Sequence, residues 1–166
     1  SFNKRLLIRT GVSHSSFESV YNKKVEFSPG AKKLINYFKS NQIRTAVVSG
    51  GLSFFAEKLQ SQLGIDNCRA NHVEIINQSI TGNVIGNVID AKEKAKYIDE
   101  LCDQYKLKND QVIAIGDGAN DIEMMKVAGL SVAYHAKPIL KQYCDIQINY
   151  GSLASLIDFF VDAYSQ

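Results

Sequence analysis

Gln111-Val112-Ile113-Ala114-Ile115-Gly116-Asp117-Gly118-Ala119-Asn120-Asp121 is the stretch that decides the fold of this chain. Its apolar run ends on a glycine, as a strand buried on both faces does at a turn, and helical spacing takes over from Ala119 to Ala128. The polar residues between strand and helix therefore stand where parallel α/β sheets bind their ligands, beyond the carboxyl ends of the strands. Two carboxylates four residues apart, Asp117 and Asp121, lie among glycines that let a backbone approach a ligand. They suit a hard divalent cation that takes few protein oxygens and keeps its waters, and Mg2+ fits best. On the residues alone an alternative stays open: Asp117 or Asn120 caps the following helix and Asp121 favours its positive end.

Working outward, the same grammar recurs. Thr45 to Val48 is a short apolar, β-branched run that predicts a second buried strand, ending in Ser49-Gly50-Gly51. A helix follows, with Phe55, Leu59 and Leu63 on one face and Gly64 just past its end. A hydroxyl and free backbone N–H groups at such a helix start would hold a phosphate, though Ser49 could equally be the N-cap. Upstream, Ser28-Pro29 opens a helix carrying Leu34, Ile35 and Phe38. Residues 70–89 scatter Val73, Ile75, Thr81, Val84 and Val88 among Asn and Gly, as a β-hairpin excursion does. Helical spacing resumes at Ala95, Ile98, Cys102 and Tyr105. Lys94, early in that helix, is by default a solvated charge, slightly unfavourable near a helix N-terminus. Strands are expected at Ser131–Tyr134 and Ile146–Ile148, and helices at Pro138–Tyr143 and Tyr150–Tyr164, the last with Leu153, Leu156, Ile157 and Phe160. Strand alternating with helix implies an α/β domain with right-handed crossovers and a mostly parallel sheet. The first 27 residues stand apart, with Phe2, Leu6 and Ile8 on one short amphipathic helix and Phe17, Val20 and Tyr21 on another. The organisation read from this is a small helical part over 1–27 and a core over 28–166.

Composition narrows the function classes. The chain has 166 residues, 45% apolar and 22% charged, enough for a core that folds alone. A formal charge of +2 is too near balance for electrostatic capture of nucleic acid or an anionic membrane. No apolar run approaches the roughly 18 residues a membrane span needs. Cys68, Cys102 and Cys144 are three, widely spaced and without a C-x-x-C, so neither disulfides nor a zinc site is signalled, and a reducing cytoplasm is expected. His14, His72 and His135 share no metal spacing.

Taken together, a strand-terminal serine, a helical lysine and a strand-terminal G-D-G-x-N-D, in that order, resemble the second, third and fourth motifs of the haloacid-dehalogenase superfamily of phosphatases. Val47-Val48-Ser49-Gly50-Gly51, Ala70-Asn71-His72-Val73-Glu74 with Thr81-Gly82, Asp90-Ala91-Lys92-Glu93-Lys94-Ala95, residues 114–125 and Ala136-Lys137-Pro138 look like the phosphoserine phosphatase family from residue 28 to the end. The segment Ser1–Leu6 is similar to that family's cap, where an arginine, here Arg5, grips the substrate carboxylate. Leu52 departs from the aromatic usual after S-G-G, a conservative apolar change. The resemblance implies a HAD-like three-layer fold with a remnant of a helical cap. It also implies a Mg2+-dependent phosphomonoesterase acting on a small molecule, O-phosphoserine, in the last step of serine biosynthesis. Ser49 and Gly50 would hydrogen-bond the phosphoryl group, Lys94 would neutralise it, Asp117 would bind Mg2+, Asn120 would contact phosphate or substrate, and Asp121 would steady the metal's water shell.

One motif is missing. The family's D-x-D-x-T, which supplies the aspartyl nucleophile and the general acid/base, occurs nowhere in the chain. Its strand would lie between the strand ending at Ser49 and the one ending at Gly116, so the sheet is expected to lack its first central strand. Two apolar strands would then be left with open edges, prone to association. The expectation is a fragment of a longer enzyme, or a gap filled by a complementing N-terminal segment or a second copy. Two other readings stand beside it: a non-catalytic phosphate- or metal-binding remnant, and a phosphatase for another small phosphorylated amine or alcohol.

Overall fold

The computed structural model describes residues 13–164, so the expected helix at Phe2–Ile8 and the candidate Arg5 lie outside the described residues. The chain divides into two compact units, one holding Ile35–Ile89 with the segment up to Phe27, the other holding Ser28–Leu34 and the chain from Asp90 onward. Each contains a three-stranded sheet.

In the first unit, helix α1 (His14–Lys24) precedes α2 (Ala31–Ser40), whose first turn belongs to the second unit. Strand β1 (Ala46–Leu52), helix α3 (Ser53–Leu63) and the hairpin β2 (Asn67–Ile76) and β3 (Ser79–Ile85) follow. The order is β1-β2-β3, with β1 parallel to β2 and β2 antiparallel to β3. Both hairpin-turn residues, Asn77 and Gln78, have positive φ (49° and 63°), the geometry that matches the twist of the flanking strands. Phe17, Leu52 and Ile80 are buried together, with Phe54, Phe55, Val73 and Val84 packed against them. The α1 residues Phe17 and Tyr21 are buried, whereas Val20, expected on the same face, is 42% exposed.

Two expectations for β1 need correction. The strand does not stop at Val48 but continues through Gly50 and Gly51 to Leu52, with a register shift between Val48 and Leu52 against β2. Nor is it buried on both faces: Val47 and Val48 are half-buried, because β1 is the outer strand of its sheet. The first half of β2 was not expected at all. Asn67, Cys68 and Arg69 pair in parallel with Ala46, Val47 and Val48 before the strand runs on into the hairpin.

The second unit contains α4 (Ala91–Tyr105), β4 (Ile113–Gly116), α5 (Ile122–Val127), β5 (Leu130–Tyr134), α6 (Pro138–Lys141), β6 (Ile146–Ile148) and α7 (Ser155–Tyr164). Its sheet is wholly parallel in the order β4-β5-β6. The central strand is the most buried, with Val132 and Ala133 fully inaccessible, and Leu140 and Leu156 lie at 0% and 1% exposure. Boundaries differ from the expected ones where local hydrogen bonds compete. Asn109–Gln111 and Ala119–Asp121 are short 3-10 turns ahead of β4 and α5, α6 ends at Lys141, and α7 begins only at Ser155.

The same side-chain clamp recurs in both units at the starts of parallel strands. The Thr45 N–H and hydroxyl both donate to Asp66 Oδ2 at 2.8 Å. The Ser131 N–H and hydroxyl donate to Asp145 Oδ2 at 2.8 and 2.6 Å. Each aspartate's own N–H returns a bond to the hydroxyl, at 3.1 and 3.0 Å. Burial would raise the Asp66 carboxyl, but the Thr45 donors and the Arg44 guanidinium prevail and hold it below its ordinary value. The Ser131 donors do the same for Asp145.

The three cysteines are free, and burial, aided by neighbouring carboxylates, pushes each thiol up and keeps it protonated. No helix among the described residues is long and apolar enough to cross a membrane.

Candidate active site

The site is built at the carboxyl end of β4. Gly116 ends the strand, and a Cβ there would lie 2.6 Å from Met125 Cε and 2.7 Å from both Cβ and Oδ2 of Asp121. Only a glycine lets Asp121 approach so closely. Asp121 is 4% exposed, and its carboxylate organises the loop. Oδ2 accepts from the backbone N–H groups of Asp117 and Gly118 at 3.1 and 3.2 Å. Oδ1 accepts from Lys94 Nζ at 2.6 Å and from Asn120 Nδ2 at 3.4 Å. These four donors fill the roughly four acceptor positions of a carboxylate. Asp121 therefore acts on its surroundings through Lys94, Asn120 and the loop backbone.

Lys94 is 5% exposed, so the default reading of a solvated surface charge is overturned. Helix α4 is capped by Asp90, which accepts from Glu93 N–H at 2.9 Å and fixes the turn that carries the lysine. A buried ammonium is tolerated here because a carboxylate faces it directly, while its two remaining protons stay available to an anion.

Asp117 is placed in the opposite manner. Its N–H goes to Asp121 and its carbonyl accepts from Lys137 N–H at 2.9 Å, so its backbone is fixed on both sides. Its carboxylate carries no hydrogen bond or ion pair among the described residues and is exposed. The capping alternative holds only in part: neither Asp117 nor Asn120 accepts a cap bond, but the Asp121 carboxylate accepts from the Gly118 N–H at the start of the short turn ahead of α5.

These donors can be tested against Mg2+. No group of three His, Cys, Asp or Glu side chains gathers as a metal cage among the described residues. A single unencumbered carboxylate on a fixed backbone nevertheless suits an ion that takes one or two carboxylates and keeps most of its waters. Asp117 fits as one such ligand.

Ser49 and Gly50 belong to the other unit and are described within it. Ser49 is half-buried in β1, and its Oγ accepts from Gly51 N–H at 3.0 Å. It is not a helix cap, since α3 begins at Ser53 with Leu52 at the N-cap position. A hydroxyl that accepts one bond in this way still has its own proton to donate. The structure thus brings Lys94, Asp117, Asn120 and Asp121 together in one unit and presents the Ser49 hydroxyl in the other. Asn71, to which the sequence reading gave no role, donates to the Gly51 carbonyl beside Ser49, and the mixed polar pattern of its strand offers no signal that singles it out.

With this geometry in hand, the comparisons with known proteins are unambiguous. Residues 8–126 match the haloacid dehalogenase-like hydrolase family, and the chain belongs to it. Within that family it is 39% identical over 162 residues to a phosphoserine phosphatase of Polaromonas sp., covering 95% of this chain and 69% of that protein. Among solved structures, a probable phosphoserine phosphatase from Vibrio cholerae superposes with a TM-score of 0.89 at 30% identity, covering 95% of this chain and 48% of the other. A substrate-bound phosphoserine phosphatase complex gives a TM-score of 0.89 at 32% identity, covering 95% and 74%. The chain therefore spans between 48% and 74% of the length of these relatives.

Proposed function

We propose that this chain carries the phosphate- and metal-binding part of a cytoplasmic Mg2+-dependent phosphatase that hydrolyses O-phosphoserine to serine and phosphate, closing serine biosynthesis. The observation that carries the proposal is a pairing of opposites at the end of β4: a buried Lys94, reaching in from α4 and fixed by Asp121, and an unencumbered Asp117 on a backbone held from both sides. Such an arrangement is preorganised for a doubly charged oxyanion and its counter-cation. Mg2+, when bound, supplies Lewis-acid charge to the phosphoryl oxygens, and Asp117 is the residue that would hold it.

The remaining roles are those that the family resemblance implies. Lys94 sets a permanent positive charge against the phosphoryl group, Ser49 donates its hydroxyl proton and Gly50 its N–H, and Asn120 offers its amide carbonyl or remaining donor to phosphate or substrate. Asp121 holds Lys94 and the Asp117 loop in place, and supports the metal through that loop. Arg5 takes the substrate carboxylate in a bidentate grip. The attacking carboxylate and the general acid/base come from a D-x-D-x-T strand that these 166 residues do not contain.

The test is hydrolysis of O-phosphoserine by the chain in Mg2+, with and without a synthetic D-x-D-x-T strand peptide. Activity is expected only with the peptide, and is lost on Asp117→Asn. Activity that ignores Asp117→Asn contradicts the proposal, and a chain that binds phosphate but never turns over is the non-catalytic remnant. Arg5→Ala is expected to raise the KM for phosphoserine; an unchanged KM points to another small phosphorylated amine or alcohol.

A further inference from the structure

Asn71, in β2, is 1% exposed, the most deeply buried polar side chain among the described residues. Its amide joins two backbone segments. Nδ2 donates to the Gly51 carbonyl at 3.3 Å, and Oδ1 accepts from Ile89 N–H at 2.8 Å. Gly51 is gripped from its other side as well, because its N–H donates to Ser49 Oγ at 3.0 Å. Asn71, Gly51 and the Ser49 hydroxyl therefore form a continuous chain of hydrogen bonds.

Space around that chain is tight. A Cβ at Gly50 would lie 3.2 Å from the Ile89 carbonyl oxygen, and one at Gly51 would lie 3.1 Å from Ser49 Oγ. Ile89, the segment Asn71 holds against Gly50, immediately precedes Asp90, the cap of the helix that carries Lys94. A buried amide costs free energy unless both its ends are used, and here both are. Holding two strands in register would need no amide at this position, since the β1–β2 ladder already pairs Leu52 with Asn71. What the amide adds is a fixed orientation for the Gly51 peptide groups and, through them, for the rotamer of Ser49.

We propose that Asn71 is a positioning residue for phosphate recognition, acting through Gly51 to keep the Ser49 hydroxyl aimed at the anion. This rests on the phosphatase reading, in which that hydroxyl is a phosphate donor. The test is calorimetric titration of the full chain with inorganic phosphate in saturating Mg2+, well below the unfolding midpoint. It compares wild type, Asn71→Ser, Ser49→Ala and the double variant.

Asn71→Ser is expected to weaken phosphate by about tenfold, equivalent to about 1.4 kcal/mol. The double variant is expected to bind little worse than Ser49→Ala alone, because Asn71 acts through Ser49. Asn71→Asp is the second variant should Asn71→Ser fold poorly. It keeps the shape and the acceptor for Ile89 but turns an oxygen toward the Gly51 carbonyl, so the same loss is expected. Wild-type affinity in these variants, or a loss that adds in full to that of Ser49→Ala, overturns the proposal. A wild-type chain that binds no phosphate overturns the phosphatase reading and this inference with it.

Discussion

At the scale of single residues, the chemistry rests on how one carboxylate is used. Asp121 is fully occupied by protein donors, and Asp117, four residues earlier, is left open. A sequence shows two aspartates with equal claims on a metal; the division of labour comes from hydrogen bonds that fold over a glycine. Lys94 illustrates the same point, since only the facing carboxylate explains a buried cation on a helix whose N-terminal field disfavours it. Removing one member of this pair leaves the other buried and uncompensated. Asp121→Ala is therefore expected to cost about 3–5 kcal/mol in urea unfolding. The double variant Asp121→Ala with Lys94→Met should cost clearly less than the sum of the two single changes. Additive losses would mean that the two side chains do not interact as a pair.

At the scale of elements, two devices make local predictions. The Thr45–Asp66 and Ser131–Asp145 clamps fasten the starts of parallel strands whose register apolar periodicity leaves open. Both carboxyls are held below their ordinary value of 3.8 in the folded chain. The unfolded chain therefore takes up protons first on acidification. The stability contributed is complete above the unfolded value and is lost as pH falls through the lower folded values. Thr45→Val is expected to lower stability at pH 7 by about 1 kcal/mol, and the gap from wild type should shrink below about pH 3. A gap that stays constant with pH would show that the hydroxyl does not support the carboxylate. The second device is the glycine under Asp121. Gly116→Ala is expected to cost about 1–3 kcal/mol and to weaken Mg2+, read by thermal unfolding and metal titration, because Met125 and Asp121 already occupy the space of its Cβ. An unchanged unfolding midpoint would contradict that packing.

The elements also show where sequence reading succeeds and where it stops. The helix over residues 53–63 with Gly64 at its end, the hairpin and the parallel character of β4, β5 and β6 follow from periodicity and turn residues, whereas the order of those strands does not. The first half of β2 does not, because Asn67-Cys68-Arg69 has no apolar alternation and its pairing with β1 is set by the Asp66 clamp. The extension of β1 through two glycines is likewise invisible locally; it depends on Leu52 reaching Asn71 across the sheet.

At the scale of the whole molecule, the chain belongs to the haloacid dehalogenase-like hydrolases. That much was readable because strand-terminal polar motifs survive as local patterns. The partnership of Lys94 with Asp121, 27 residues apart, was not readable, since spacing alone says nothing of which side chains meet. The proposed function requires that Lys94 on α4 and Asp117 after β4 serve one phosphoryl group and its cation. The most direct measurement is the 31P signal of inorganic phosphate titrated with the chain, with and without Mg2+. Phosphate should bind only with Mg2+ and should weaken by about tenfold or more, some 1.4 kcal/mol, in Asp117→Asn, Lys94→Met and Ser49→Ala alike. Binding that is indifferent to Mg2+ and to all three substitutions would contradict the account.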